Sequence, residues 1–253
     1  MVKVKFVYPY DCSEIKDMTL VDMHCHTTCS DGLNHADHVI ERARELKIAI
    51  SITDHNDIQA SLKASKAKFS IPGIEATSSD AIDFLFYFHK QKDIKEFYNK
   101  YVQGRFVKSI AFNLRKLNLN SAELLENVNK YNALVALPHP FAMRPKNSFE
   151  FMKKHKHLMK HIHAIEVLNS VMSKEGNLKA IEWAKETKLA YVGGSDAHMV
   201  KHLGMCVTAS YASNTNEFLE NIFKKKNHVV GTNIQGFEKM KTSFSMFRSN
   251  LTW

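Results

Sequence analysis

Five histidines and three carboxylates recur along this chain in short motifs whose spacing suits metal ligation. His24-Cys25-His26 has i, i+2 spacing, so on a strand both imidazoles leave one face while Cys25 points away. Asp31 follows in an Asp-Gly turn just past that strand. In Thr53-Asp54-His55 the last two side chains point to opposite faces; His55 is the expected ligand, and Asp54 a helix-capping or supporting carboxylate. Glu75 lies in the buried-looking run IPGIEATS, where a carboxylate is costly unless paired or metal-bound. His139 is held between Pro138 and Pro140, and Asp196-Ala197-His198 repeats the i, i+2 geometry after Gly193-Gly194. Eight such groups exceed the roughly four ligands of one tetrahedral zinc. They suit two or three divalent ions with mixed nitrogen and oxygen ligation, such as Zn, Mn or Fe. A cluster of that kind generates a metal-bound hydroxide near neutral pH and neutralises phosphoryl oxygens.

The elements that must carry these groups alternate between strand and helix. TLVDMHCH, IAISITDH, IPGIEATS, AIDFLFYFH, ALVALPHP, AIEVLNS, LAYVGGSDAH and GMCVTASY read as strands. Helical patterns separate most of them, including LNHADHVIERARELK, IQASLKASKAKF, GNLKAIEWAKETK and NTNEFLENIFKKK. The predicted ligands fall at the C-terminal ends of strands, which a TIM-type barrel gathers at one face. The expected fold is therefore α/β, a barrel-like domain with parallel strands and the metal site at their C-terminal face. One domain spans residues 1–253, with a helical insertion at about 90–132, broken near Asn118 to Ser121, and an unplaced tail at about 231–253.

Composition narrows the class. Of 253 residues, 44% are hydrophobic and 24% charged, a globular balance. No apolar run reaches the roughly 18 residues of a membrane span, and the first residues are too polar for a signal peptide, so a cytoplasmic location is expected. Cys12, Cys25, Cys29 and Cys206 form no CxxC pair and read as reduced thiols, Cys29 as a packing residue. The net charge of +9 is spread over many lysines and does not by itself choose a substrate.

The motif order H-x-H-x4-D-G, T-D-H, G-x-E, P-H-P and S-D-A-H, from about Val21 to Gly204, resembles the PHP (polymerase and histidinol phosphatase) family. That resemblance implies a distorted (β/α)7 TIM-like barrel and a bi- or trinuclear phosphoesterase site. It also implies one ion on His24, His26, Glu75 and Asp196, a second bridged by Glu75 to His139, and a third on Asp31, His55 and His198. Many members carry a further histidine after the glutamate, where this chain has Asp83-Phe-Leu-Phe-Tyr-Phe-His89. Asp83 is placed ahead of His89 as its replacement.

Around the metals, Arg144 is a candidate phosphate clamp, Asn169 a substrate hydrogen-bonding group and His202 a proton donor to the leaving group. The aromatic residues between Lys90 and Lys116 read as the buried face of an amphipathic helix more than as a base-stacking cap. The function expected is hydrolysis of a phosphomonoester, or of a nucleotide or oligonucleotide phosphodiester, with no membrane and no stable protein partner. The alternatives are a non-catalytic metal-binding module associated with nucleic acid and an amidohydrolase of C–N bonds.

Overall fold

The computed structural model describes residues 2–66, 69–107, 116–142 and 147–234. The strands are β1 (Val4–Lys5), β2 (Thr19–Cys25), β3 (Ala49–Ile52), β4 (Gly73–Thr77), β5 (Asp83–Phe88), β6 (Phe106–Val107), β7 (Lys116–Leu117), β8 (Ala133–Leu137), β9 (Ala164–Asn169), β10 (Ala190–Gly194), β11 (Cys206–Ser210) and β12 (His228–Gly231). The helices are α1 (Ala36–Glu45), α2 (Gln59–Ala64), α3 (Gln91–Tyr101), α4 (Ser121–Val128), α5 (Ser148–Lys154), α6 (Lys174–Thr187) and α7 (Thr215–Phe223). Among the described residues no helix is long and apolar enough to cross a membrane.

The large strands form two five-stranded sheets, ordered β1-β12-β11-β2-β3 and β10-β9-β8-β5-β4. The fold is thus α/β, but its ladders do not close into one hydrogen-bonded ring as the barrel expectation required. Among the described residues, strand pairing between the two sheets is limited to isolated bridges, Cys25 with Ala197 at one seam and Ile50 with Ser70 and His55 with Glu75 at the other. The strands are also not all parallel: β5 runs antiparallel to both β4 and β8, and β11 antiparallel to both β2 and β12. Only five residues separate β4 from β5, and a parallel return needs a crossover of about a dozen residues.

β5 shows how the sheets bury their faces. Phe84, Phe86 and Phe88 pack outward with Phe97, Leu124 and Leu125 of the α3–α4 layer. Leu85 and Tyr87 point inward with Met23, Leu134, Ala136 and Val192, joining residues of both sheets in one interior. The Tyr87 hydroxyl donates to the Met23 carbonyl at 2.9 Å and ties the interior together. α7 packs Phe218, Leu219 and Ile222 against Ala49, Ile71, Ala164 and Ala190, at the strand ends away from the ligands.

The insertion is helical at both ends, with the short β6–β7 hairpin between α3 and α4. α4 is capped by Asn120, whose side chain accepts from the Glu123 N–H while Glu123 accepts from the Asn120 N–H. β1 and β12 were not anticipated. β12 overlaps the start of the unplaced tail, most of which lies outside the described residues.

Candidate metal centre

The ligand-bearing strand ends are brought together by backbone contacts across the seams. The Asp196 N–H donates to the His24 carbonyl at 2.7 Å, and the His26 N–H to the Ala197 carbonyl at 2.9 Å. At the other seam the Glu75 N–H donates to the Asp54 carbonyl (3.3 Å) and the Asn56 N–H to the Glu75 carbonyl (2.9 Å). Gly194 allows the close approach, since a Cβ there would lie 2.5 Å from the His24 Cβ and 2.6 Å from its nitrogen. Asp196 takes φ +53° and His139 φ +28°, conformations that turn both chains sharply at the site.

The result is one buried cluster. His24 Nε2 lies 3.0 Å from His26 Nε2, 3.3 Å from Glu75 Oε2 and 3.5 Å from Asp196 Oδ1. His26 Nε2 is 3.4 Å from Glu75 and 3.2 Å from Asp196. Glu75 turns its other oxygen, Oε1, to His139 Nε2 at 3.1 Å, while Oε2 also faces His55 Nε2 at 3.4 Å. Asp31 stands 3.2 Å from His198 Nε2 and 3.9 Å from His55 Nε2. Asp83 joins His55 and Glu75 in a set whose ligand atoms lie within 4.8 Å of one another.

The nine expected ligands His24, His26, Asp31, His55, Glu75, Asp83, His139, Asp196 and His198 therefore converge in overlapping sets. His89, the alternative to Asp83, is at the far end of β5, with Nδ1 3.0 Å from the Asn216 side chain. Antiparallel β5 presents its first residue to the site, not its last. His202 lies buried in the 3-10 turn Val200–His202 and belongs to none of these sets. Arg144 lies outside the described residues.

Three imidazoles are aimed by acceptors at their outer nitrogens. His24 Nδ1 faces Glu166 Oε1 at 3.0 Å, and His198 Nδ1 faces the Asp196 carbonyl at 2.9 Å. His55 Nδ1 lies 3.3 Å from the Thr77 hydroxyl, which itself donates to Asp83 at 2.6 Å. A proton on each Nδ1 leaves each Nε2 lone pair directed at the cluster. The pairing of Nε2 of His24 with Nε2 of His26 is one that a shared cation satisfies better than a single proton, so the donor set fits bound metal ions.

Burial opposes charge at Glu75, Asp31, Asp196, His24 and His198, yet mutual attraction prevails there. Glu75, Asp31 and Asp196 are held well below the usual carboxylate range by neighbouring imidazoles, despite desolvation. His198, against the same desolvation, is raised to about 9 by Asp31. Asp54 is different: burial lifts it to about 6, opposed by His26 and by donors from Ser30 and Thr27. It accepts from the Thr27 N–H and hydroxyl and the Ser30 hydroxyl at 2.6–2.7 Å, which makes it the brace of the loop carrying Asp31.

Asn169 is fully buried and faces inward. Its amide donates to Glu166 (2.9 Å) and Asp196 (3.1 Å), and its oxygen accepts from the Val171 and Met172 N–H groups. Two buried carboxylates of the site escaped the sequence reading. Glu166 is the acidic residue of the largely apolar AIEVLN strand, and Asp22 precedes the His24 motif and accepts from the Ser195 N–H, the Ser195 hydroxyl and the Gly204 N–H. An isolated acid inside an apolar strand was the available signal for both.

Comparison with known proteins adds to this geometry. Residues 174–227 match the PHP-associated family model. Over 97% of this chain and 74% of its own, a two-domain protein of Bacteroides vulgatus, containing a predicted PHP-like metal-dependent phosphoesterase, superposes with a TM-score of 0.60 at 14% identity. The chain has a PHP-like fold. Endonuclease Q, in complex with a 27-mer duplex substrate bearing an abasic lesion at the active site, gives a TM-score of 0.66 at 17% identity over 85% of this chain and 60% of that one. The uncharacterized protein MJ0417 of Methanocaldococcus jannaschii is 29% identical over 189 residues, 73% of this chain and 67% of that protein.

Proposed function

We propose that this PHP-like chain hydrolyses phosphoester bonds, with nucleotides or oligonucleotides as its substrate class, using two or three divalent ions of Zn, Mn or Fe. The observation that carries the reading is the convergence of five histidines and four carboxylates with ligand atoms within 4.8 Å in overlapping sets. Ions bound there would supply Lewis acidity toward phosphoryl oxygens and acidify a coordinated water.

The side chains themselves divide the work. Glu75 offers one oxygen to His139 and the other to His24, His26 and His55, as a bridging carboxylate does. His24, His26 and Asp196 would hold one ion, and Asp31 with its neighbours His55 and His198 would hold another, with Asp83 standing beside His55 and Glu75. In this reading β2, β3, β4, β5, β8, β9 and β10 are the walls of a distorted seven-stranded barrel whose seams are the two bridged contacts. The similarity to Endonuclease Q and the net charge of +9 favour a polyanionic substrate over a small neutral one.

Protein loaded with Mn²⁺ or Zn²⁺ is expected to cleave members of a panel of aryl phosphates, nucleotides and short oligonucleotides, and to lose that activity in His24→Ala and Asp196→Ala. Turnover of amides but not of phosphoesters, or activity surviving both substitutions, would sink the reading.

A further inference from the structure

One buried carboxylate touches more of the centre than any ligand's own neighbours require. Glu166 sits on β9, wholly buried, with both oxygens committed. Oε1 faces His24 Nδ1 at 3.0 Å. Oε2 accepts from the His139 backbone N–H at 2.7 Å and from the Asn169 amide at 2.9 Å. The second hydrogen of that amide goes to Asp196 Oδ2 at 3.1 Å, so the chain of contacts continues to a third member of the cluster.

We propose that Glu166, locked by Asn169, is the positioning residue that fixes the tautomer of His24 and sets His24, His139 and Asp196 relative to one another. This rests on the metal-site reading above for its consequence, though not for its geometry. An acceptor at Nδ1 keeps the His24 proton there and leaves Nε2 free for the cluster. The orientation of Asn169 is equally determined, because its oxygen accepts from two backbone N–H groups and only its amide can face Glu166 and Asp196. His139 is in a left-handed turn between two prolines, so its backbone N–H is a rigid point to anchor. A residue expected to hydrogen-bond substrate thus belongs to the support of three ligands.

Glu166→Gln is nearly isosteric but replaces one acceptor oxygen with a donor, which must then face the His24 Nδ1, the His139 N–H or the Asn169 amide. Two measurements test the proposal. Long-range proton–nitrogen NMR of the metal-free protein, taken at a pH high enough that the His24 ring is neutral, reads the His24 tautomer, expected as Nδ1–H in the wild type and shifted toward Nε2–H or mixed in Glu166→Gln. That pH is high because, against desolvation by burial, Asp196, Glu166 and Glu75 raise the ring well above the ordinary imidazole value. Chelator competition reads Zn²⁺ affinity, expected to fall roughly 10–100-fold in Glu166→Gln and to recover toward wild type in Glu166→Asp, which keeps the charge.

A Glu166→Gln protein with the wild-type tautomer and an affinity within about twofold of wild type would overturn the proposal, since outer partners of metal ligands usually cost far more. So would a Glu166→Asp protein as weak as Glu166→Gln, because volume rather than the carboxylate would then set the site. If the wild type takes up no Zn²⁺, the metal-site reading falls and the tautomer alone decides whether Glu166 positions His24. Should Glu166→Gln fail to fold, the tautomer in Glu166→Asp decides: the wild-type form, held by the remaining carboxylate, supports the proposal, and a shift away from it overturns it.

Discussion

The two sides of the metal centre are built by different means. On the β2–β10 side, His24, His26, Asp196 and His198 come from two chains laid parallel and joined through their backbones, with the Asp22 carboxylate accepting from Ser195 and Gly204 beneath them. Imidazoles there pack ring to ring, His26 against His198 at 4.3 Å and against His24 at 5.0 Å. On the β4–β5–β8 side, Glu75 and Asp83 come from one antiparallel hairpin and His139 from a loop between prolines. Oxygen dominates that side, and a threonine hydroxyl links Asp83 to His55. On the first side Gly194 packs directly on the His24 backbone, which leaves little room there. On the second side the start of β5 is held by backbone pairing with β4, so a change of side chain at Asp83 leaves the strand pairing in place.

The largest effects are expected on the crowded side. His24→Ala or Asp196→Ala should lower total metal uptake and phosphoesterase activity by more than about 100-fold, since even outer partners of ligands cost roughly 10–100-fold. His139→Ala should cost one ion per chain by elemental analysis and leave the remainder bound. Equal losses from all three would erase the distinction between the sides. Next in size is Gly194→Ala, whose methyl would meet the His24 main chain at 2.6 Å. Overpacking of that kind costs about 1–3 kcal/mol, read as a lower urea midpoint in the metal-free protein. An unchanged midpoint would mean that the seam gives way and is not rigid.

Five of the candidate ligands were legible in the sequence because i, i+2 spacing, for His24 with His26 and Asp196 with His198, or flanking prolines, for His139, declare which way the side chain goes. His24 with His26 and Asp196 with His198 needed no knowledge of the fold. Glu166 was not legible in that way. Its partners, His24 and His139, are 142 and 27 residues away, and nothing in AIEVLN says that they meet it. The strand–helix alternation identified the α/β class, but periodicity carries no strand direction. The five-residue link between β4 and β5 did carry it, and with it the choice between Asp83 and His89: a strand that turns straight back brings its first residue, not its last, to the C-terminal end of its predecessor. The ladder closure expected of a barrel depends on how two sheet edges approach each other, which the motifs do not specify.

Asp83 tests the oxygen-rich side directly. Asp83→Ala should weaken binding of one ion by roughly tenfold, the low end of what a ligand or its close partner contributes, whereas Asp83→His should retain it and shift preference toward metals that favour nitrogen. Isothermal titration with Mn²⁺ and Zn²⁺ separates the two, and an Asp83→Ala protein that binds like the wild type would remove this residue from the centre.

The smallest expected effect is a pair of opposed pH slopes, and it belongs to the imidazole-rich side. His198 is buried; desolvation disfavours its charge, but Asp31 at 3.2 Å prevails and raises it from the ordinary 6.5 to about 9. Folding of the metal-free protein therefore takes up a proton between those values. The stabilisation is complete below about 6.5 and disappears as pH rises through about 9. Asp22 and Asp54, lifted to about 6 chiefly by burial, have largely finished titrating before that window opens. Metal ligation needs His198 Nε2 without its proton, so affinity should climb over the interval in which the metal-free fold weakens. Urea midpoints of the stripped protein and Zn²⁺ affinities, both taken between pH 6.5 and 9, should run in opposite directions. Midpoints that rise with pH would show that the charged His198–Asp31 pair does not hold this side of the centre together.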